Sequence, residues 1–156
     1  MTESQMSKNI LLARPHPFIV AEMKPFLEEN GYTLAKLEAI ANMATLAPKA
    51  GGAVISMALS SSIPESAEEV FQRLRQSAPT VPVVFASMLS LDKARPGLER
   101  LAVLCSVKAS IAGIDNEGTV SQWGRPDTFL YFSKDDLAIP ARRAIAARIL
   151  KRHFTQ

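Results

Sequence analysis

One cysteine, one tryptophan and two histidines in 156 residues leave the chain short of the side chains that most often carry chemistry. Cys105 alone permits no intrachain disulfide and no cysteine-based zinc site, and it reads as a small buried hydrophobe rather than a reactive thiol. His16 has no carboxylate within a few residues to orient it, as a catalytic triad would need. There is no P-loop, no GxGxxG run and no Ser-His-Asp spacing, so an enzyme is not expected and no cofactor or metal is assigned. No apolar run approaches a membrane span, and the opening MTESQMSK is too polar for a signal-peptide core, so the expectation is a cytoplasmic protein. Acids are missing from two long stretches. None occurs between Glu38 and Glu65, and none from Leu137 to Gln156, where Arg142, Arg143, Arg148, Lys151 and Arg152 make the C-terminal end basic. The bland reading of that end is a solvated helix face with cations near a helix C-terminus.

What the chain does have is an ordinary globular balance, 47% hydrophobic and 21% charged, with a net charge of +3. That length buries about 70% of its unfolded surface in one core, so residues 9–156 are read as a single domain behind a disordered tail of residues 1–8. Ile10 to Ala13 is a short apolar run, and Pro17 opens a helical pattern through Phe18, Ala21, Glu22 and Phe26 to Asn30-Gly31, with Pro25 expected to kink it. Thr33 to Leu37 reads as a strand and Glu38 to Leu46 as a short helix. Ala53 to Leu59 is apolar on both parities except Ser56, the pattern of a strand buried on both faces. A helix is expected from Ser62-Ile63-Pro64-Glu65 through Val70, Phe71 and Leu74, and Val81 to Ala86 is a fourth strand. This alternation argues for an α/β fold, doubly wound, with a mainly parallel five-stranded sheet and helices on both faces.

Residues 88–127 are read less simply, with an insertion at about 103–127. Leu98, Leu101, Cys105 and Ala112 keep helical spacing, Ala102 to Val107 also fits a strand, and Asp115-Asn116-Glu117-Gly118 signals a hairpin turn carrying Trp123. Phe129 to Phe132 then reads as the last strand, and Ile145, Ile149 and Leu150 as the apolar stripe of a final helix.

The segment LLARPHPFIVAEMKPFLEENGY, Leu11 to Tyr32, resembles the opening of a response-regulator receiver domain. The resemblance extends over Asn9 to Ser87 and again over Thr128 to His153, and it implies a flavodoxin-like fold in bacterial two-component signalling. Receivers that open this way carry Asp-Asp-His-Pro, whose paired carboxylates hold the Mg²⁺ for phosphoryl transfer to a third aspartate. Here Arg14 and Pro15 stand before His16 and Pro17, and an arginine cannot ligate Mg²⁺. The position of the acceptor aspartate falls on Ser56, Met57 or Ser60, none of which can form an acyl phosphate. Ser87 matches the hydroxyl residue ending the fourth strand, and Lys134 resembles the phosphate-pairing lysine, without the proline that normally follows it. The rival alignment puts the last strand at Ala102 to Val107 with Lys108 as the lysine.

The resemblance and its departures together imply a receiver-like regulatory module that is not phosphorylated and works by binding a protein partner. Homodimerisation by two-fold symmetry through the last helices is expected. The vestigial pocket of Arg14, Pro15, Ser56, Met57, Ser60, Ser87 and Lys134 would be cationic, either binding a small anion or using Arg14 to bond carbonyls and hydroxyls and lock one conformation. Arg143, Arg148 and Lys151 form the candidate partner face. Nucleic acid is the less favoured partner, since no glycine-rich or aromatic binding module accompanies the arginines.

Overall fold

The structure is a computed structural model that describes residues 8–58, 63–118 and 123–154. Apolar runs between turn residues become strands, and runs of helical period become the layers that cover them. β1 (Asn9–Arg14), α1 (Pro17–Glu29) and β2 (Thr33–Lys36) come first, then a one-turn helix α2 (Met43–Leu46) between two 3-10 turns, and β3 (Gly52–Ser56). α3 (Ala67–Ser77), β4 (Val83–Ser87) and α4 (Leu91–Leu104) follow, then β5 (Ser110–Ala112), β6 (Thr128–Ser133), α5 (Lys134–Ala138) and α6 (Pro140–Phe154). Among the described residues the sheet has six strands, not five, in the order β2-β1-β3-β4-β6-β5, with every neighbouring pair parallel.

The extra strand corrects the reading of residues 103–127. Residues 102–104 complete α4, which removes the alternative of a last strand there with Lys108 beside it. β6 pairs with β4 from Val83↔Phe129 to Ser87↔Ser133, as the Phe129 to Phe132 run requires. The Asp115-Asn116-Glu117-Gly118 signal makes a 3-10 turn at Ile114–Asn116 rather than a hairpin tip, and Val120 lies outside the described residues. Beyond β5, Asn116 accepts from the Gly113 N–H through Oδ1 at 2.9 Å and donates its own N–H to the Gly113 carbonyl at 3.1 Å. The buried end of β5 is thereby turned locally.

Two further boundaries move, the first of them for reasons of capping. The helix expected from Ser62 begins at Ala67, because Ser66 accepts from the Glu69 N–H at 3.2 Å while Glu69 bonds back to Ser66. The helix expected over Glu38 to Leu46 is held to one turn between 3-10 segments. α1 runs on through Pro25, which faces solvent. It ends where Tyr32 N–H reaches the Leu27 carbonyl at 3.1 Å around Gly31 at φ 91°. α4 ends the same way, with Val107 N–H on Ala102 O at 2.8 Å, but the left-handed residue there is Ser106 at φ 58°. At the other end of the chain, Lys8 is already engaged, its carbonyl accepting from Thr33 N–H at 2.9 Å.

β1, β3, β4 and β6 are buried on both faces. α2, α3 and α4 pack with Leu11, Ile55, Phe85 and Phe129 on one face, and α1, α5 and α6 with Ile10, Val54, Val84 and Phe132 on the other. α6 is seated by close approach. A Cβ on Gly52 would stand 2.6 Å from the Phe154 ring, so only glycine lets β3 receive that ring. His153, fully buried, accepts the Gly124 N–H at Nδ1 (2.9 Å), which leaves Nε2 to donate to the Val83 carbonyl at 2.9 Å.

Candidate functional site

Strands of an open parallel sheet present their carboxyl ends together, and ligands bind at that edge. β1 delivers Arg14 there by an irregularity: its register on β3 slips between Leu12↔Val54 and Arg14↔Ile55, so Ala13 is an extra residue that re-aims the strand end. Arg14 is 5% exposed. Its Nη1 donates to the carbonyls of Ser56 at 2.8 Å and Ala58 at 2.6 Å, and its Nε to the carbonyl of Glu65 at 3.0 Å. One planar guanidinium thus joins the end of β1, the end of β3 and the approach to α3. Burial lowers its pKa and the nearby Glu68 charge opposes that shift, but an arginine keeps its charge in any case. Of the two expectations for this residue, carbonyl bonding is what the geometry contains.

The other residues of the expected pocket are only partly brought together. Pro15 is buried beside Arg14, and His16 is the half-buried residue ahead of Pro17, which opens α1. Ser56 is fully buried, and its hydroxyl accepts the Ala58 N–H at 3.1 Å in a local turn. Met57 donates its N–H to the Ala86 carbonyl at 2.9 Å and lines a cavity of about 430 Å³ with Arg14, Glu68, Glu69 and Arg100. Two cations face two carboxylates there, so this cavity is charge-balanced and not the cationic pocket expected. Ser60 lies outside the described residues.

Ser87 and Lys134 do not line that cavity. Ser87 Oγ accepts from the Leu89 N–H at 3.2 Å and bonds to the Tyr131 hydroxyl, which itself donates to the Leu89 carbonyl at 2.6 Å. With Tyr131 donating to Leu89, the Ser87 proton is the one between the two hydroxyls, and every polar group of the triangle is used. Burial raises the Tyr131 pKa, the bond from Ser87 opposes this, and Asp136 adds to it. Lys134 is not a strand-end residue: Ser133 is the partner of Ser87 across β6, and Lys134 is exposed as the first residue of α5. The cause is a capping box in which Ser133 accepts the Asp136 N–H at 3.2 Å and Asp136 accepts the Ser133 N–H at 2.9 Å.

Asp136 is absent from the residues expected to matter, although the run Ser-Lys-Asp-Asp carries its signal. It is buried, and Arg142 holds it through Nε at 3.0 Å and Nη2 at 2.8 Å. The expected partner face on α6 is also largely used from within. Arg143 is half-buried, pairs with Glu29 at 2.7 Å, donates to the Leu137 carbonyl and stacks on Phe26 with its guanidinium 5.1 Å from the ring centre. Arg148 is exposed and meets Glu117 bidentately at 2.9 and 3.0 Å. Lys151 is exposed on the same helix. The three do not form one free basic surface, because acids distant in sequence neutralise two of them. Groups of three or more acids, histidines or cysteines able to hold a metal are absent among the described residues, as are helices long and apolar enough to cross a membrane.

No protein-family model matches the chain, and no curated protein is significantly similar in sequence. Solved structures are similar in fold. The receiver domain of a sensor histidine kinase from Pseudomonas aeruginosa, solved with magnesium coordinated in its active-site cleft, superposes with a TM-score of 0.56 at 15% identity. That match covers 96% of this chain and 98% of that one. NtrX from Brucella abortus superposes with a TM-score of 0.50 at 17% identity, over 92% of this chain and 28% of that one. The all-parallel sheet with helices on both faces is similar in fold to these receiver structures and has six strands among the described residues.

Proposed function

We propose that this chain is a regulatory module of signal transduction with receiver architecture, one that is not phosphorylated and acts by binding another protein. The observation that carries the reading is the placement of Arg14. At the strand ends where a receiver gathers carboxylates for Mg²⁺, a buried guanidinium donates to three backbone carbonyls instead. Mg²⁺ requires a shell of oxygens rich in carboxylate, and here the neighbouring charge is the Arg14 guanidinium, which repels a second cation. Ser56 and Met57, at the end of β3, offer no carboxylate for an acyl phosphate, and the Ser87 hydroxyl is committed to Tyr131 and Leu89.

A site held this way favours one conformation, which suits a module read by its partner rather than switched by phosphate. A homodimer is the second element of the proposal, by the two-fold pairing common among soluble oligomers. The nucleic-acid alternative draws less support, because Glu29 and Glu117 offset Arg143 and Arg148 on α6. The test of the central proposal is treatment with acetyl phosphate or beryllofluoride and Mg²⁺. Unchanged intact mass and unchanged amide spectra are expected, whereas one added phosphoryl group mapping to the strand-end site would overturn the reading.

A further inference from the structure

We propose that a groove at the amino edge of the sheet is the docking site for an extended segment of a partner protein, an apolar stretch flanked by carboxylates. The proposal rests on the reading of the chain as a protein-binding module and adds the surface and the chemistry of the partner. The groove encloses about 710 Å³, open to solvent, at the opposite edge of the sheet from Arg14. It lies between the 3-10 turn Ala47–Lys49, the connection from α3 to β4, and residues 124–126.

Its walls are built from residues of restricted backbone and held by side-chain hydrogen bonds. Pro48, Pro79, Pro82 and Pro126 all line it, and a fixed φ leaves little backbone freedom to lose on binding. Two polar side chains from outside the lining hold the walls in place. Arg75 donates to the carbonyls of Ala78 at 3.3 Å, Val81 at 2.8 Å and Pro126 at 2.7 Å, three lining residues from both sides of the groove. His153 ties Gly124, another lining residue, to Val83. Ala47 and Val81 are buried beneath, so the floor is apolar.

Charge selects the occupant. Lys49 and Arg125 line the groove, Arg75 stands behind its wall, and no carboxylate is among the lining residues. Asp127, 3.7 Å from Arg125 with both side chains exposed, offsets only part of this charge. A preformed apolar channel rimmed by cations complements an extended, acidic and apolar segment.

The probe is a displayed library of random dodecapeptides panned on the full chain. The expected result is enrichment of sequences with carboxylates around an apolar or proline residue. Their binding should weaken about tenfold or more in the double variant Lys49→Glu with Arg125→Glu, whose thermal midpoint should match the parent's. Selected peptides without an excess of carboxylates, no selected peptides, or binding to the double variant within about twofold of the parent would each overturn the proposal. In-cell cross-linking separates its failure from that of the reading beneath it. If parent and double variant trap the same protein equally, the groove is not the site and the module still binds proteins; if the parent traps none, both are overturned.

Discussion

A guanidinium facing three carbonyls pairs a buried charge with one buried and two part-buried acceptors, and removing it takes the charge away but leaves those acceptors unpaired. Arg14→Ala should therefore cost about 1 to 3 kcal/mol, read as a lower midpoint in chemical denaturation. Arg14→Lys should recover only part of this, since an ammonium cannot reproduce the planar fork across Ser56, Ala58 and Glu65. An unchanged midpoint for Arg14→Ala would show that the arginine does not brace the strand ends. His153 acts by the opposite logic, as a buried group kept neutral. Burial chiefly lowers its pKa from 6.5 to about 4, with the Val83 bond opposing and Arg75 adding to the shift. The unfolded chain then binds a proton that the folded one does not between pH about 6.5 and 4, so stability rises with pH across that window and is lost as pH falls through it. The loss is about 3 kcal/mol by pH 4. Denaturation midpoints of His153→Gln should be flatter than the parent's over that range, and a parallel pH dependence would assign the acid lability elsewhere.

At the scale of elements, two helices close with the same motif and different residues. Gly31 takes the left-handed position at the end of α1 without strain, whereas Ser106 takes it at the end of α4 with a Cβ. Ser106→Gly should therefore raise stability, by up to about 1 kcal/mol, visible as a higher thermal midpoint. Gly52→Ala should do the reverse, because the new methyl would meet the Phe154 ring at 2.6 Å in a β3 that is buried on both faces. Neither change alters the fold's logic. They test whether the Gly52–Phe154 approach sets the docking of α6 and whether the left-handed residue sets the turn into the added strand.

For the molecule as a whole, the question is which surface meets a partner. If α6 contributes to a two-fold dimer, charge reversal at Arg148 and Lys151 should dissociate it in light scattering while the thermal midpoint stays within a degree or two. Arg148 is exposed and Glu117 half-buried, and solvent screening keeps the contribution of their pair to stability small. A dimer that survives the reversal would take α6 out of the interface. Should the face bind nucleic acid instead, wild-type affinity for duplex DNA would fall steeply between about 50 and 200 mM salt.

Most of the architecture is local and therefore legible in the chain. Apolar runs at β1, β3, β4 and β6 and the helical stripes between them set an α/β order whatever the partners of each strand. The loss of acids at Arg14-Pro15 and across residues 39–64 is likewise plain from composition. Legibility ends where a boundary or a charge depends on a distant group. The capping boxes at Ser66 and Ser133 outweigh apolar periodicity and move one helix start and the lysine after β6. The weakly patterned segment after α4 becomes a strand only because β6 offers it a free edge. Arg14 finds its acceptor on Glu65, 51 residues away, and His153 on Val83, 70 residues away. Glu29 reaches Arg143 across 114 residues of chain. The sequence by itself determined the central strands β1, β3, β4 and β6, the helices between them and which chemistry is missing, since these follow from residue type and spacing. Which cations are spent inside the molecule and which remain on its surface was decided by the tertiary structure alone, because folding chooses the carbonyls and carboxylates that surround each charge.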